Sequence, residues 1–333
     1  MTQNLLIGRR GFLAGAAAAS TLALPAFARG ERHSVRIASN QAAENATLQQ
    51  LIADRGYFER LSLDTEIVEG KTISAPMDAI LSGAADICMI SAFVGFLPAI
   101  EAGKELRLVG AAMQLPALAL YATDPGLMRV GDLAGKRVGI GGTKGLLHIL
   151  SIALLRKKGV DPAKVEFVNV GSNAAVFDAV ATGKVDAGLS GIAGMADARA
   201  HVVEDGRLWK ALPEYTYQPA YASVKALREK PEAIARCLAA YTQLWRYLAT
   251  TGSREPYLAA RQRVAGATSV AEGQSVWDFI HREHPYSAHP GVSPKRVAFL
   301  QQLNVEVGLQ SKVLPFAQVA DMGPAIRANR LIR

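Results

Sequence analysis

The segment MDAILSGAADICMI (residues 77–90) aligns without a gap on FDAVATGKVDAGLS (residues 177–190), so that Asp78, Ala79, Gly83 and Asp86 recur as Asp178, Ala179, Gly183 and Asp186. The flanks repeat as well. Upstream, EIVEGKT (66–72) matches FVNVGSN (167–173), an apolar run followed by glycine and small polar residues, and further upstream VRIASN (35–40) matches VGIGGT (138–143). Each copy reads as strand, helix, strand, helix, strand, with Gly56 and Gly159 where the first helix of each stops. Runs such as DICMI and KRVGI are short and almost wholly apolar, as strands of a parallel sheet covered on both faces should be. Two such units predict an α/β protein with two parallel-sheet lobes.

Outside the copies the pattern changes. QLPALALYATDPG (114–126) is an extended-looking link bounded by Pro116 and Pro125, and PEYTYQPAYASVKAL (213–227) is rich in tyrosine and proline. Beyond it the sequence turns helical: REKPEAIARCLAAYTQLWRYLATTG (228–252) has Pro231 near its start and apolar residues at helical spacing. This long helical tail is expected to return and pack on the first lobe.

The chain has 333 residues, 50% hydrophobic and 20% charged, which suits a globular protein large enough for two cores. Residues 1–28 stand apart. Arg9 and Arg10 precede an Ala-rich apolar run that ends in Ala26-Phe27-Ala28, the order of charge, apolar stretch and small-residue cleavage site expected of a twin-arginine export signal. Losing those two arginines takes the formal charge from +8 to +6. No cysteine sits at the cleavage site for a lipid anchor, so the mature chain is expected to be soluble and periplasmic. Cys88 lies in an apolar strand-like run and Cys237 on an amphipathic helix, positions that favour burial over pairing. The basic balance is not gathered into a Lys/Arg run, so no nucleic acid is expected as a partner.

In open parallel sheets ligands meet the carboxyl ends of the strands, where helix N-termini offer unpaired N–H groups. The repeat places six such loops. In the first lobe they are Ser39-Asn40-Gln41, Gly70-Lys71-Thr72 and Ser91-Ala92-Phe93; in the second they are Gly141-Gly142-Thr143-Lys144, Gly171-Ser172-Asn173 and Ser190-Gly191. Small hydrogen-bonding residues suit a compact polar ligand, and Lys71 and Lys144 beside helix N-termini suit an acidic one. Each loop taken alone also reads as a turn glycine with a capping Ser, Thr or Asn.

KRVGIGGTKG (136–145) also invites a dinucleotide reading through Gly139, Gly141 and Gly145. That fingerprint belongs in the first βαβ unit, which has IASNQAAEN instead, and the second strand of this unit ends at Val170 without the acidic residue a ribose needs. His281, His284 and His289 lie close together, but Pro285 interrupts them and no closed ligand set follows, so no metal is expected. Asp86 and Asp186 read as turn residues at the sheet ends opposite the ligand loops, and Trp209, Trp245 and Trp277 as core residues.

DLAGKRVGI (132–140), the Gly-x-x-Asp-apolar motif of residues 83–87 and TGKVDAG (182–188), set along the chain in the family's order, resemble the nitrate/sulfonate/taurine-type solute-binding proteins of ABC importers, a family that includes thiamine-pyrimidine binders. The resemblance covers residues 35–221. It implies a type II periplasmic binding fold with residues 34–118 and 222–333 in lobe I, 124–214 in lobe II, and 118–124 and 214–223 as the hinge. It implies a monomer that captures a small organic anion (sulfonate, carboxylate or heteroaromatic acid) and delivers it to an inner-membrane permease, with no catalysis and no cofactor. Ser91-Ala92-Phe93 stands where many sulfonate binders carry a small pair and proline, and Phe93 with Tyr215 or Tyr217 could flank an aromatic ring. The alternatives are an exported nucleotide-dependent oxidoreductase using the Gly139 to Gly145 loop, and a ligand sensor of the same fold.

Overall fold

A computed structural model describes residues 31–72, 74–90 and 94–332. The export signal expected over 1–28 lies outside the described residues, as do Ser91, Ala92 and Phe93. Residues Arg32–Arg333 form one compact unit. Its described strands are β1 (His33–Asn40), β2 (Leu63–Gly70), β3 (Ile87–Cys88), β4 (Leu106–Met113), β5 (Leu118–Ala122), β6 (Arg137–Ile140), β7 (Glu166–Asn169), β8 (Ala187–Gly191), β9 (His201–Arg207) and β10 (Gln218–Ser223). They make two five-stranded sheets of the same order, β2-β1-β3-β10-β4 and β7-β6-β8-β5-β9. The duplication is therefore structural.

Neither sheet is wholly parallel. β10 runs antiparallel to β3 and β4, and β5 runs antiparallel to β8 and β9. The cause is the pair of crossings between sheets, from Met113 to Leu118 and from Arg207 to Gln218. The chain leaves one sheet at the carboxyl end of a strand and enters the other at the equivalent edge. It must then run back against its new neighbours. The segments expected as hinges thus hold strands β5 and β10, and the crossings lie a few residues earlier.

The repeat also has a register that the sequence alignment misses. Ile37 pairs with Ile87 and Val138 with Ala187, so Ile37 and Val138 are the equivalent residues, and Val35 is two positions off. A two-residue slip leaves every side chain on its original face, so apolar alternation cannot detect it. A side-chain contact fixes the register instead. Asp86 accepts from the Arg36 backbone N–H at 2.8 Å and from its guanidinium at 2.8 Å; Asp186 accepts from the Arg137 backbone N–H at 2.8 Å and from its guanidinium at 2.7 Å. Both aspartates stand at the sheet ends away from the ligand loops, and each is an ion-pair partner as well as a turn residue.

Of the carboxy-terminal helices, Pro231–Leu248 lies against β1, β2 and β4, and Gly323–Leu331 packs on it. Pro231 occupies the first turn, where its missing N–H costs nothing. Helix Arg254–Ala265 packs on helix Ala43–Asp54. The tail does not stay with the first sheet, however. Helix Val270–Glu283 covers the 3-10 turn Ile192–Ala196 after β8, and its Phe279 ring meets Trp209 edge-on at 5.0 Å. Arg156 pairs with Glu306 at the end of helix Pro294–Glu306, and Lys144 Nζ donates to Gly308 O at 3.2 Å. The apolar core follows suit, because one buried cluster contains Ile37 and Val109 of the first sheet together with Ala119 and Tyr121 of the second. Trp209, Trp245 and Trp277 are all buried, as are the Cys88 and Cys237 thiols, which form no disulfide.

Candidate functional site

The carboxyl ends of β1, β4, β6, β7 and β8 face a cleft occupied by two chambers that share Leu146 and Asn173. The first, about 510 Å³, is walled by Gly141, Gly142, Gly145, Gly171, Ser172 and Asn173 from the second sheet's loops and by Thr72, Ser74, Met77 and Gly95 from the first's. The second, about 440 Å³, is walled by Asn40, Glu44, Met113, Tyr217, Gln218, Arg261, Phe279 and Tyr286, with Gly191 and Ile192 opposite.

The three glycines of residues 139–145 divide the work of building the first chamber. Gly139 lies inside β6, where a Cβ would come 3.0 Å from Val185 Cγ2, so its task is sheet packing. A Cβ on Gly141 would fall 2.1 Å from Asn173 Oδ1 and 2.5 Å from Asn173 N, so only glycine lets the two loops approach. Gly145 is the N-cap of helix Leu146–Lys157, which starts at the chamber wall. Its unpaired N–H groups and dipole make that wall electropositive without a side-chain cation. Ser172 Oγ accepts from Ala175 N at 3.3 Å, which ties the loop to the first residue of helix Ala175–Ala181.

Of the loop residues expected from sequence, Asn40, Thr72, Gly142, Ser172, Asn173, Gly191 and Tyr217 line the chambers. Ser39, Gln41, Gly70, Lys71, Thr143, Lys144 and Ser190 line neither. Ser39 is buried on β1. Lys144 adopts a left-handed backbone (φ 60°), its N–H donates to His148 Nδ1 at 2.9 Å, and its ammonium turns away to Gly308 O. Tyr215 is buried in the core, whereas Tyr217 faces the second chamber, where burial pushes its phenol up to about 12.

The second chamber holds what sequence reasoning missed. Glu44 Oε2 accepts from Tyr257 OH at 2.6 Å and lies 3.5 Å from Arg261 Nη1, while Arg261 Nη2 lies 3.3 Å from Glu272. Burial drives the Glu44 carboxyl upward, and the Tyr257 hydrogen bond and Arg261 charge only partly oppose it. Part of the side chain (26%) remains exposed, but Oε1 itself is sealed from water and has no hydrogen-bond partner; the same holds for Tyr286 OH and Arg261 Nε. Tyr286 in turn stacks flat on Trp245 at 4.2 Å. Glu44 lies in the first turn of helix Ala43–Asp54 and Arg261 in helix Arg254–Ala265, in no motif and far apart in the sequence. Only tertiary packing reveals their meeting.

Among the described residues no group of three or more His, Cys, Asp or Glu could hold a metal ion. His281 stacks on Trp277 at 4.8 Å, and His284 caps the end of helix Val270–Glu283 with a left-handed backbone.

The family profile described as "NMT1/THI5 like" matches residues 50–251, well over half of the chain. The chain belongs to this family. Among curated proteins none matches it. Among solved structures, the periplasmic aliphatic sulphonate binding protein SsuA from Escherichia coli is similar, with TM-score 0.71 and 18% identity over 88% of this chain and 93% of that one. A Candida albicans protein, the CA3427 gene product, described as having the generic periplasmic binding protein fold, aligns with TM-score 0.62 and 15% identity over 89% and 94%. The desulfurization enzyme DSZB aligns with TM-score 0.61 and 16% identity over 91% and 100%. At such identities the likeness establishes the periplasmic binding protein fold, a fold shared by binders and by at least one enzyme.

Proposed function

We propose that this NMT1/THI5-like chain is the solute-binding component of an ABC importer, which takes up a small organic molecule bearing an acidic group and passes it unaltered to an inner-membrane permease. The observation that carries the reading is the double chamber itself. Both sheets contribute walls to it at their strand ends, so one ligand contacts both halves and favours whichever arrangement brings them together. The crossings 113–118 and 207–218 are where such a movement turns. The sulphonate-binding SsuA relative and the family match support the class, and a periplasmic site of action follows from it. The acidic group belongs against the N-terminus of helix Leu146–Lys157, where backbone N–H groups take the place sequence reasoning gave to Lys71 and Lys144.

The likeness to DSZB favours an enzyme as second reading. The nucleotide-dependent version is weakened by the packing tasks of Gly139 and Gly141. Denaturing protein purified from its own host, identifying the released small molecule by mass spectrometry, and returning it to refolded protein separates the readings. Capture predicts rebinding with an unchanged mass after prolonged incubation; conversion to a second species would establish catalysis.

A further inference from the structure

The second chamber differs in polarity from the first. The glycine-walled chamber presents a helix N-terminus and no acidic side chain among its described lining, whereas the aromatic chamber presents Glu44 together with Arg261, whose guanidinium is divided between Glu44 and Glu272. The Glu44 carboxylate is half satisfied: Tyr257 and Arg261 address Oε2, and Oε1 has no donor. A buried acceptor left without a donor is costly, and such a group in a cavity wall calls for a donor from elsewhere. Glu44 lines the chamber while its Oε1 is shielded from water, and the terminal carboxylate torsion is soft, so the group can turn toward an entering donor. Tyr286 OH and Arg261 Nε, also without partners, lie in side chains of the same wall. Around them Tyr217, Phe279 and Met113 provide flat or pliable apolar surface.

We infer that Glu44 is a specificity-determining residue that selects a nitrogen donor, so that the ligand is bipolar: an acidic group in the glycine-walled chamber, a flat body past Leu146 and Asn173, and an amino or amidino group on Glu44. This rests on the capture reading above and extends it. The arrangement explains how a cleft can hold a carboxylate side chain and still receive an acid. A ligand with acidic groups at both ends would place one beside Glu44, whereas an amine there completes the hydrogen bonding of Oε1.

The test compares two probes of one shape, 4-(aminomethyl)benzoate and 4-methylbenzoate, by calorimetric titration of the intact protein. The amine should bind roughly ten- to a hundredfold more tightly, the worth of one buried charge-assisted hydrogen bond. In Glu44→Gln that advantage should collapse to within about threefold, with 4-methylbenzoate binding no worse than before. Should that variant fold poorly, the comparison on the unmodified protein still decides. Equal or tighter binding of 4-methylbenzoate by the unmodified protein overturns the role of Glu44 and leaves capture intact. Binding of neither probe overturns the bipolar ligand inferred here, whereas capture stands or falls with the rebinding of the released molecule.

Discussion

Replacing Gly141 by alanine, with the neighbouring Gly142→Ala as its control, separates packing from mere flexibility in the chamber wall. Neither glycine has a positive φ, so neither substitution strains the backbone. The surroundings differ sharply. A Cβ at 141 would lie 2.1 Å from Asn173 Oδ1, 2.5 Å from Asn173 N and 2.8 Å from the carbonyl carbon of Ser172; a Cβ at 142 meets nothing within 4 Å. The amide oxygen can rotate away, but the backbone atoms cannot, and ordinary contact at about 3.4 Å or more requires loop 171–173 to withdraw by close to 1 Å. Overpacking of this kind costs about 1–3 kcal/mol. For a chain of this size that lowers the melting temperature by roughly 2–5 °C. Asn173 borders both chambers, so the released ligand should also bind more weakly, by about threefold to tenfold if one neutral hydrogen bond is lost. Gly142→Ala should melt within about 1 °C of the parent. Thermal denaturation and calorimetry on the two variants decide the matter. Equal melting temperatures for both would refute the claim that the 141 and 171–173 loops are held in contact.

The other predictions concern charge. Asp86, nearly buried, receives Arg36 and also Lys230 Nζ at 2.8 Å, whereas Asp186 is more open and has only Arg137; Asp86→Asn should therefore cost about 3 kcal/mol and Asp186→Asn about 1 kcal/mol in urea denaturation, and equal losses would contradict the reading. Burial pushes the Asp86 carboxyl up, but the Arg36 and Lys230 hydrogen bonds outweigh it and hold it below its ordinary value. Its contribution is therefore complete above an ordinary carboxyl pKa of about 4 and is lost as pH falls through the lower folded value, so stability below pH ~4 should fall less steeply in Asp86→Asn than in the parent. Lys144→Ala should leave affinity for an acidic ligand within about twofold, because the ammonium is turned to Gly308 O; a tenfold loss in titration would place Lys144 on the ligand.

The duplication, the α/β class and the loops at the strand ends were legible because they depend on local rules: glycines that end helices, short apolar strands, and a motif repeated in order. Asn40, Ser172 and Asn173 are marked in the same way, as small polar residues ahead of helices, and they line the chambers. What escaped depends on distance along the chain. The antiparallel insertion of β5 and β10 follows from how two crossings join two sheets, and no local pattern records it. The Arg36–Asp86 and Arg137–Asp186 pairs fix a register to which a period of two is blind. Lys144 reads as a ligand contact because its neighbours form a helix start, yet its left-handed backbone and the approach of residue 308 direct it elsewhere. Glu44, Tyr257 and Arg261 meet only because helix Arg254–Ala265 returns to helix Ala43–Asp54, over two hundred residues later in the chain. The helical tail, whose pattern carries no mark of its partners, touches both sheets' halves through Phe279 and Glu306.

If one ligand bridges two halves of a cleft, the particle must contract around it. Small-angle X-ray scattering of the protein stripped of small molecules, then saturated with the molecule released from it, should show a smaller radius of gyration in the second state. An unchanged radius at demonstrated one-to-one saturation would contradict capture by closure.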